Sequence, residues 1–362
     1  MSNNHIPRFS QLDKQQQQVL TELARQVRRV FVTGAGGFLG SALCRFLRAA
    51  KIEVVGFSRG DYPEVSRMGV TLIKGDITDK QSLIDAMRGC DLVFHVASKA
   101  GVWGSKESYF NPNVSGTENI ISACQALNIN RLVYTSTPSV TFSGEDENGI
   151  DESQPYAHNF LNFYGLSKAI AEKKVLAANS AALKTVALRP HLIWGPGDPH
   201  LVPRVLQRAK SGRLKLLGKT DKLVDSIYID NAVYAHLLAA VEISAAQPNC
   251  AGKAYFVSND QPILMAEMLN KILACQDLQP VSARIPAPLA YSIGAILECF
   301  YAAMKIKQEP PMTRFVARQL STSHYFNISA VKKDLGYAPI ISIDSGMKKL
   351  KTALSQEDMT GL

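Results

Sequence analysis

No stretch of this 362-residue chain is long and apolar enough to suggest a bilayer span, which takes about 18–20 uninterrupted apolar residues. The nearest stretch, Pro288 to Met304, is interrupted by Glu298. Cysteine is sparse: Cys44, Cys90, Cys124, Cys250, Cys275 and Cys299 include no C-x-x-C pair. In apolar helical contexts they read as reduced, buried thiols rather than a disulfide framework. Seven histidines show no paired ligand spacing, so no metal site is expected. Glycine and proline, at 24 and 17, are too few for a low-complexity chain. The first thirty residues are Gln-rich and charged, without an apolar leader-like stretch, which favours a cytoplasmic location. Acids are outnumbered, 31 against 40 Lys+Arg, leaving a net charge of +9. The densest basic patch is Arg204, Arg208, Lys210, Arg213, Lys215, Lys219 and Lys222, with only Asp221 against it. Basic residues are otherwise scattered, so no nucleic-acid partner is expected; the patch reads as a solvated face or a hold for an anionic molecule.

What is present is a large apolar inventory, 46% of the chain, with a regular rhythm. Residues 1–27 form a polar extension in which Phe9, Leu12, Val19, Leu20, Leu23 and Val27 share one helical face. From Arg29 strands alternate with helices: strands at 29–33, 53–57, 70–74, 91–97, 131–136 and 185–189, helices at 39–49, 82–87, 114–127 and 160–178. Strands apolar on both faces indicate a doubly wound, Rossmann-like parallel sheet covered by helices. Residues 28–190 are expected to form the cofactor domain. Residues 191–362 are expected to form a smaller, mostly helical substrate lobe, interleaved with the last sheet strands. Its helices are expected at 201–210, 231–243, 264–274, 289–304, 329–335 and 345–354, with strands near 226–229 and 254–257.

Thr33-Gly34-Ala35-Gly36-Gly37-Phe38-Leu39-Gly40 follows a strand and opens a helix. Gly34 suits the tight turn, Gly37 the approach of a pyrophosphate, and Gly40 the packing of helix on sheet. The free N–H groups and dipole of the helix start favour phosphate. The second strand ends at Ser58-Arg59, with no acid before Asp61. A basic residue there favours NADP(H), whereas a carboxylate would favour NAD; Asp61 keeps the second reading open. Asp76, after the third strand, suits either the adenine amino group or a turn. Phe38, Leu39, Ile77, Ala97, Pro190 and Leu192 complete the candidate cofactor-facing set.

Tyr164 and Lys168 stand four apart on a helix, hence on one face. A free phenol is a weak acid near pH 10, and a neighbouring ammonium favours its ionised form. The same lysine suits the nicotinamide ribose. Ser136 and Thr137, at the carboxyl end of the fifth strand, are the two candidate hydroxyls for polarising a carbonyl, since ligands of such sheets sit at those ends.

Together Thr33–Gly40, Tyr134–Val140 and Tyr164–Lys168 resemble the extended short-chain dehydrogenase/reductases. Asn113-Val114-Ser115-Gly116-Thr117-Glu118-Asn119, Leu188-Arg189-Pro190 and Trp194-Gly195-Pro196-Gly197-Asp198 add to the likeness, which covers about Arg29 to Leu354. The branch it resembles is that of the 3β-hydroxysteroid dehydrogenases. Within it, Ser58–Pro63, Lys99–Ser105, Leu192–Asp198 and Val224–Asn231 are similar to bacterial reductases of 2-alkyl-3-oxoalkanoates in long-chain olefin biosynthesis.

The resemblance implies NADPH-dependent reduction of a 3-oxo group, with Tyr164 as proton donor and Lys168 holding phenolate and ribose. Thr137 takes the place of the family's serine, leaving Ser136 in contention. The lipid-like keto acid would need a cation, for which Lys99, Arg204 and His191 are the candidates. Trp103, Asn113, Phe110 and the 289–304 helix are candidates for lining the substrate; that helix reads equally as core or as a membrane-surface contact. A sterol dehydrogenase, a nucleotide-sugar epimerase or dehydratase, and a non-catalytic NADP-binding sensor are the competing readings. The resemblance also implies a homodimer, and a pathway-enzyme assembly is compatible with the N-terminal face.

Overall fold

The computed structural model describes residues 7–360. Seven parallel strands form the central sheet: β1 (Arg29–Thr33), β2 (Glu53–Ser58), β3 (Thr71–Lys74), β4 (Leu92–His95), β5 (Arg131–Thr135), β6 (Lys184–Pro190) and β7 (Lys253–Val257). Their spatial order is β3-β2-β1-β4-β5-β6-β7. The order reverses between β1 and β4, which makes the crevice beyond their carboxyl ends the ligand-binding position of a doubly wound sheet. Phe31, Val32, Val93, Phe94, Leu132 and Val133 are fully buried, as strands covered on both faces require.

The covering helices include α1 (Lys14–Gln26), α2 (Phe38–Ala49), α3 (Lys80–Met87), α4 (Gly116–Ala126), α5 (Phe163–Ala177) and α6 (Ile229–Glu242). Asp13 caps α1 through the Gln15 N–H, and Gln16 reaches back to the Asp13 N–H. The apolar face of α1 packs on α6, with Leu20 and Leu23 fully buried; the extension is part of the body.

The second half returns a strand to the sheet: β7 pairs in parallel with β6, Lys253 to Val257 against Val186 to Pro190. A four-stranded sheet beside it joins Ile263–Leu264, Leu223–Val224, His324–Phe326 and Glu147–Ile150. These strands escaped sequence reading because two to four residues carry too little periodicity. Helix α7 (Ala287–Ala303) also departs from a core-helix expectation: only Ala290 and Gly294 are buried. Cys299 on it is exposed, correcting the expectation of six buried thiols, while the other five are buried.

Two buried carboxyls brace the second sheet. Thr141 Oγ1 lies 2.8 Å from Glu147 Oε1 and 2.9 Å from the Pro138 carbonyl. One hydroxyl proton cannot serve both acceptors, so the contact is best satisfied when Glu147 is itself protonated and donates. Burial pushes the Glu147 carboxyl up to about 7. Asp225 accepts from the Phe326 N–H at 2.9 Å, its other oxygen has no partner, and burial again raises it to about 7. Both carboxyls stay protonated in the fold at pH values where the unfolded chain has released its protons, so their contribution to stability is lost as pH rises through about 7. The buried imidazoles His95, His191 and His236, held below their ordinary values, act in the opposite sense. Relative to Glu147→Gln, neutral throughout, the wild type should therefore lose melting temperature as pH rises from about 5 to about 7; an unchanged difference between the two in a thermal-melt series would mean that Glu147 is ionised in the fold.

Candidate active site

The loop between β1 and α2 is built by close approach. Gly34 sits at φ +67°, where L side chains are strained. A Cβ on Gly40 would clash with the Gly34 carbonyl, and one on Gly34 would press on the Ala97 backbone at 3.0 Å. No side chain caps α2, so its first-turn N–H groups are open to an anion. The cradle therefore fits a dinucleotide pyrophosphate.

Around it the expected residues have specific duties. The Ser58 hydroxyl accepts from the Gly36 N–H at 3.0 Å, holding the loop. Arg59 is exposed just beyond β2. Asp61 is drawn away to Lys74 at 2.7 Å. Asp76 spends one oxygen on Thr78, in a turn. Ile77 is buried, and Leu192 is held at φ +44° after Pro190, the last residue of β6.

At the crevice, Asn162 caps α5 through the Gly165 N–H at 2.8 Å, which sets Tyr164 in the first turn and Lys168 one turn on. The Thr137 side chain is close enough to the Tyr164 phenol to oppose the rise that burial imposes on it, and its hydroxyl donates to Ser139 Oγ at 3.3 Å. The Ser136 hydroxyl is buried with no partner, and its N–H donates to the Leu188 carbonyl at 2.6 Å. Of the two candidate hydroxyls, Thr137 is the one that influences the phenol.

Lys168 is 1% exposed and makes no ion pair. Its ammonium donates to the Thr135 carbonyl at 2.7 Å and lies 4.1 Å above the Tyr134 ring. Glu172, one turn further, is taken by Arg189 at 2.6 Å and by the Tyr156 hydroxyl at 2.7 Å. Burial pulls the Lys168 ammonium down to about 7, with Glu172 opposing. A lysine titrating near neutrality beside a phenol suits proton transfer.

The three candidate cations separate clearly. His191 Nε2 lies 2.7 Å from His324 Nδ1, and His324 Nε2 donates to the Gln319 carbonyl at 2.8 Å. The chain of bonds is consistent with two neutral rings, and burial holds His191 well below its ordinary value. It is not a cation, which corrects the expectation for it. Arg204 is bound by both oxygens of Glu309. Lys99 faces no carboxylate; its ammonium sits 4.7 Å over the Tyr109 ring.

Asn113 is likewise not free for substrate, because its amide is fully occupied. Its Oδ1 accepts from the Lys99 N–H at 2.7 Å, and its Nδ2 donates to the Lys99 carbonyl and to Ser167, each at 3.0 Å. It ties the segment after β4 to α5. Trp103 Nε1 donates to the Ile306 carbonyl at 3.1 Å, and its own carbonyl accepts from the Tyr109 hydroxyl at 3.0 Å.

Sequence reading missed the polar seams beneath the site. Thr33 Oγ1 accepts from the Val96 and Ala97 N–H groups and lies 2.8 Å from His95 Nδ1. His95 Nε2 lies 3.0 Å from Thr117 Oγ1, which donates to the Asn113 carbonyl at 2.7 Å. That pattern assigns the proton to Nε2 and makes the ring neutral; burial, then Lys168, lowers it to about 3. Thr135 Oγ1 meets His236 Nε2 at 2.8 Å in the same way. No local signal marks these residues, whose partners stand 22 to 101 positions away.

Residues 31–287 match the 3-beta hydroxysteroid dehydrogenase/isomerase family. The chain belongs to that family. It is 61% identical over 350 residues to a 2-alkyl-3-oxoalkanoate reductase of Shewanella oneidensis, covering 95% of this chain and 90% of that one. A 2-alkyl-3-oxoalkanoate reductase of Stenotrophomonas maltophilia is 49% identical over 328 residues, 90% of this chain and 99% of that one. The mouse sterol-4-alpha-carboxylate 3-dehydrogenase (decarboxylating) is 31% identical over 338 residues, 91% and 92% of the two chains. Among solved structures, the UDP-glucuronic acid 4-epimerase of Bacillus cereus in complex with NAD superposes with a TM-score of 0.70 at 20% identity, over 91% of this chain and 99% of that one; that likeness speaks for the fold alone. The chain is an oxidoreductase of this family, with a Rossmann-like sheet for a nicotinamide cofactor.

Replacing Thr137 by Val should lower kcat by roughly 10- to 1000-fold, as loss of an oxyanion donor does. Thr137→Ser should stay near wild type. Ser136→Ala should have the smaller effect of the two positions; steady-state kinetics on the three variants decide between the hydroxyls.

Proposed function

We propose that the enzyme reduces the 3-oxo group of a long-chain 2-alkyl-3-oxoalkanoate to the 3-hydroxy acid with NADPH, in olefin biosynthesis. The observation that carries this reading is the buried Lys168 one helical turn from Tyr164, in a chain 61% identical to a reductase of that name. The two kinds of named relative share a chemical feature. A 2-alkyl-3-oxoalkanoate and a sterol-4-alpha-carboxylate acted on at C3 each carry the carboxylate on the carbon next to the reacting one. A site for such compounds needs a hydroxyl and an acid at the carbonyl and a cation one carbon away.

Bound NADPH supplies the hydride. Tyr164 donates the proton to the oxygen of the former carbonyl, and Thr137 hydrogen-bonds that oxygen as its negative charge grows. Lys168 holds the nicotinamide ribose and stabilises the phenolate left on Tyr164; the Glu172 oxygens are already taken by Arg189 and Tyr156. Lys99 is the residue for the substrate carboxylate, since His191 is neutral and Arg204 is paired. NADPH is favoured over NADH because Arg59 is the charged residue at the end of β2, while Asp61 is engaged by Lys74.

The test is oxidation of NADPH by the purified chain with a long-chain 2-alkyl-3-oxo acid and a 3-oxosteroid in parallel, with a UDP-sugar followed separately by its products. Turnover of the oxo acid, lost by roughly 10²–10⁴-fold in Tyr164→Phe, is the expected outcome; turnover of only another substrate overturns the reading. Lys99→Met should raise KM for the oxo acid about tenfold or more, the loss of one charge-assisted contact, and leave KM for NADPH unchanged. Arg59→Ala should weaken NADPH by a similar factor and leave NADH unaffected. The alkaline limb of kcat/KM should begin near pH 7, where Lys168 loses its proton; a profile flat to about pH 9 would remove Lys168 from the proton path.

A further inference from the structure

We propose that the outer face of α7 docks on an anionic lipid surface. The inference does not rest on the reaction proposed above. Leu289, Ile293, Ile296, Phe300 and Met304 are 52, 39, 69, 54 and 62% exposed. At about 100° per residue they fall within roughly an 80° arc, a continuous apolar stripe along the helix and its C-terminal cap. The helix has one charge, Glu298, and it is turned inward: its carboxylate accepts from the Arg314 N–H at 2.7 Å and from Arg314 Nε at 2.6 Å. The outer face therefore carries no charge.

The helix cannot roll to hide this face. A Cβ on Gly294 would come within 2.6–2.9 Å of the Thr313 and Arg314 backbone, so the inner face is seated backbone to backbone. Tyr301 packs edge-on to Trp103 at 6.3 Å. With 17 residues, α7 is too short to span a bilayer, and no helix among the described residues is long and apolar enough to cross one.

Charge selects the occupant. Lys305 and Lys307 follow the C-terminal end of the helix. Lys215 and Lys219 flank Leu216–Leu217, the strand paired with Arg284–Ile285, which leads into the N-terminal end. All four are exposed and none pairs with an acid, whereas Lys222, Lys253, Lys271, Lys332 and Lys351 each do. An uncharged apolar stripe with unmatched lysines at both ends is the pattern of a helix lying in an anionic interface, its apolar side chains among acyl chains and its lysines at the phosphates. A second copy fits less well, because in either orientation the stripe would bring lysine-rich ends together with no exposed acid on the helix to meet them. Hydrogen bonds run from the end of the docked helix toward the reaction centre: the Ile306 carbonyl accepts from Trp103, whose carbonyl accepts from Tyr109, which feels Tyr164 electrostatically.

The experiment is co-sedimentation of the full chain with vesicles of phosphatidylglycerol and phosphatidylcholine, against phosphatidylcholine alone, at low and high salt. Binding to the anionic vesicles, weakened by salt and at least about tenfold weaker in Ile296→Glu/Phe300→Glu, is expected. Lys305→Glu/Lys307→Glu should abolish the preference for anionic lipid. All four substituted residues are exposed, and thermal melts of the variants confirm that they fold. A polarity-sensitive dye on Cys299, the exposed cysteine among the described residues, should shift to the blue on vesicle addition. No binding to anionic vesicles, or binding untouched by Ile296→Glu/Phe300→Glu, overturns the proposal. So does a two-copy mass in solution that falls to one copy in that variant, since the face would then be covered by the protein itself.

Discussion

The Lys168 ammonium lies in nearly dry protein with no carboxylate partner. A buried charge of this kind is tolerated only when dipoles and polarisable groups around it replace water. Here the Thr135 carbonyl and the Tyr134 ring do so from one strand, β5. The nearest acid, Glu172, is withheld because Arg189 and the Tyr156 hydroxyl claim its oxygens. A direct Lys168–Glu172 pair would hold the ammonium protonated and turned away from Tyr164. The Arg189–Glu172 pair, beside the Phe256 ring, thus has a consequence one helical turn away.

The rest of the site is arranged around that helix. Asn113 and Ser167 fix α5 to the segment after β4, so Lys99 and Tyr109 are held relative to Tyr164. Thr33, His95 and Thr117 link β1, β4 and α4 just below the crevice, with His95 neutral. A neutral imidazole is what this place can accommodate, since a second cation would compete with Lys168 for the same few dipoles. On the far side, Glu147 and Thr141 hold the turn that begins at Thr137 against the second sheet.

The second half of the chain extends the sheet and builds its own flank. Its strand β7 extends the main sheet, while the segment from Ile306 to Pro311 that follows α7 is tied to the body through Trp103, Arg204 and Arg208. The apolar side chains of α7 are spent outward rather than on its small core of Leu217, Ala290 and Ala317.

The sequence alone determined what depends on local spacing. Gly34, Gly37 and Gly40 announce a phosphate cradle because a turn that tight excludes side chains. Tyr164 and Lys168 share a face because 3.6 residues make a turn. The apolar strands 29–33, 53–57 and 131–136 reveal a covered sheet because burial on both faces leaves no polar alternation. Only the tertiary structure decided matters that depend on distant partners. It separated Thr137 from Ser136, neutralised His191 through His324, occupied Asn113 with the Lys99 backbone, and left Lys99 without a carboxylate. It also set apart the lysines around α7 that lack acids from those that have them. Charge state, hydrogen-bond saturation and exposure are properties of neighbours in space. The fold supplies those neighbours from a hundred residues away, where no pattern along the chain records them.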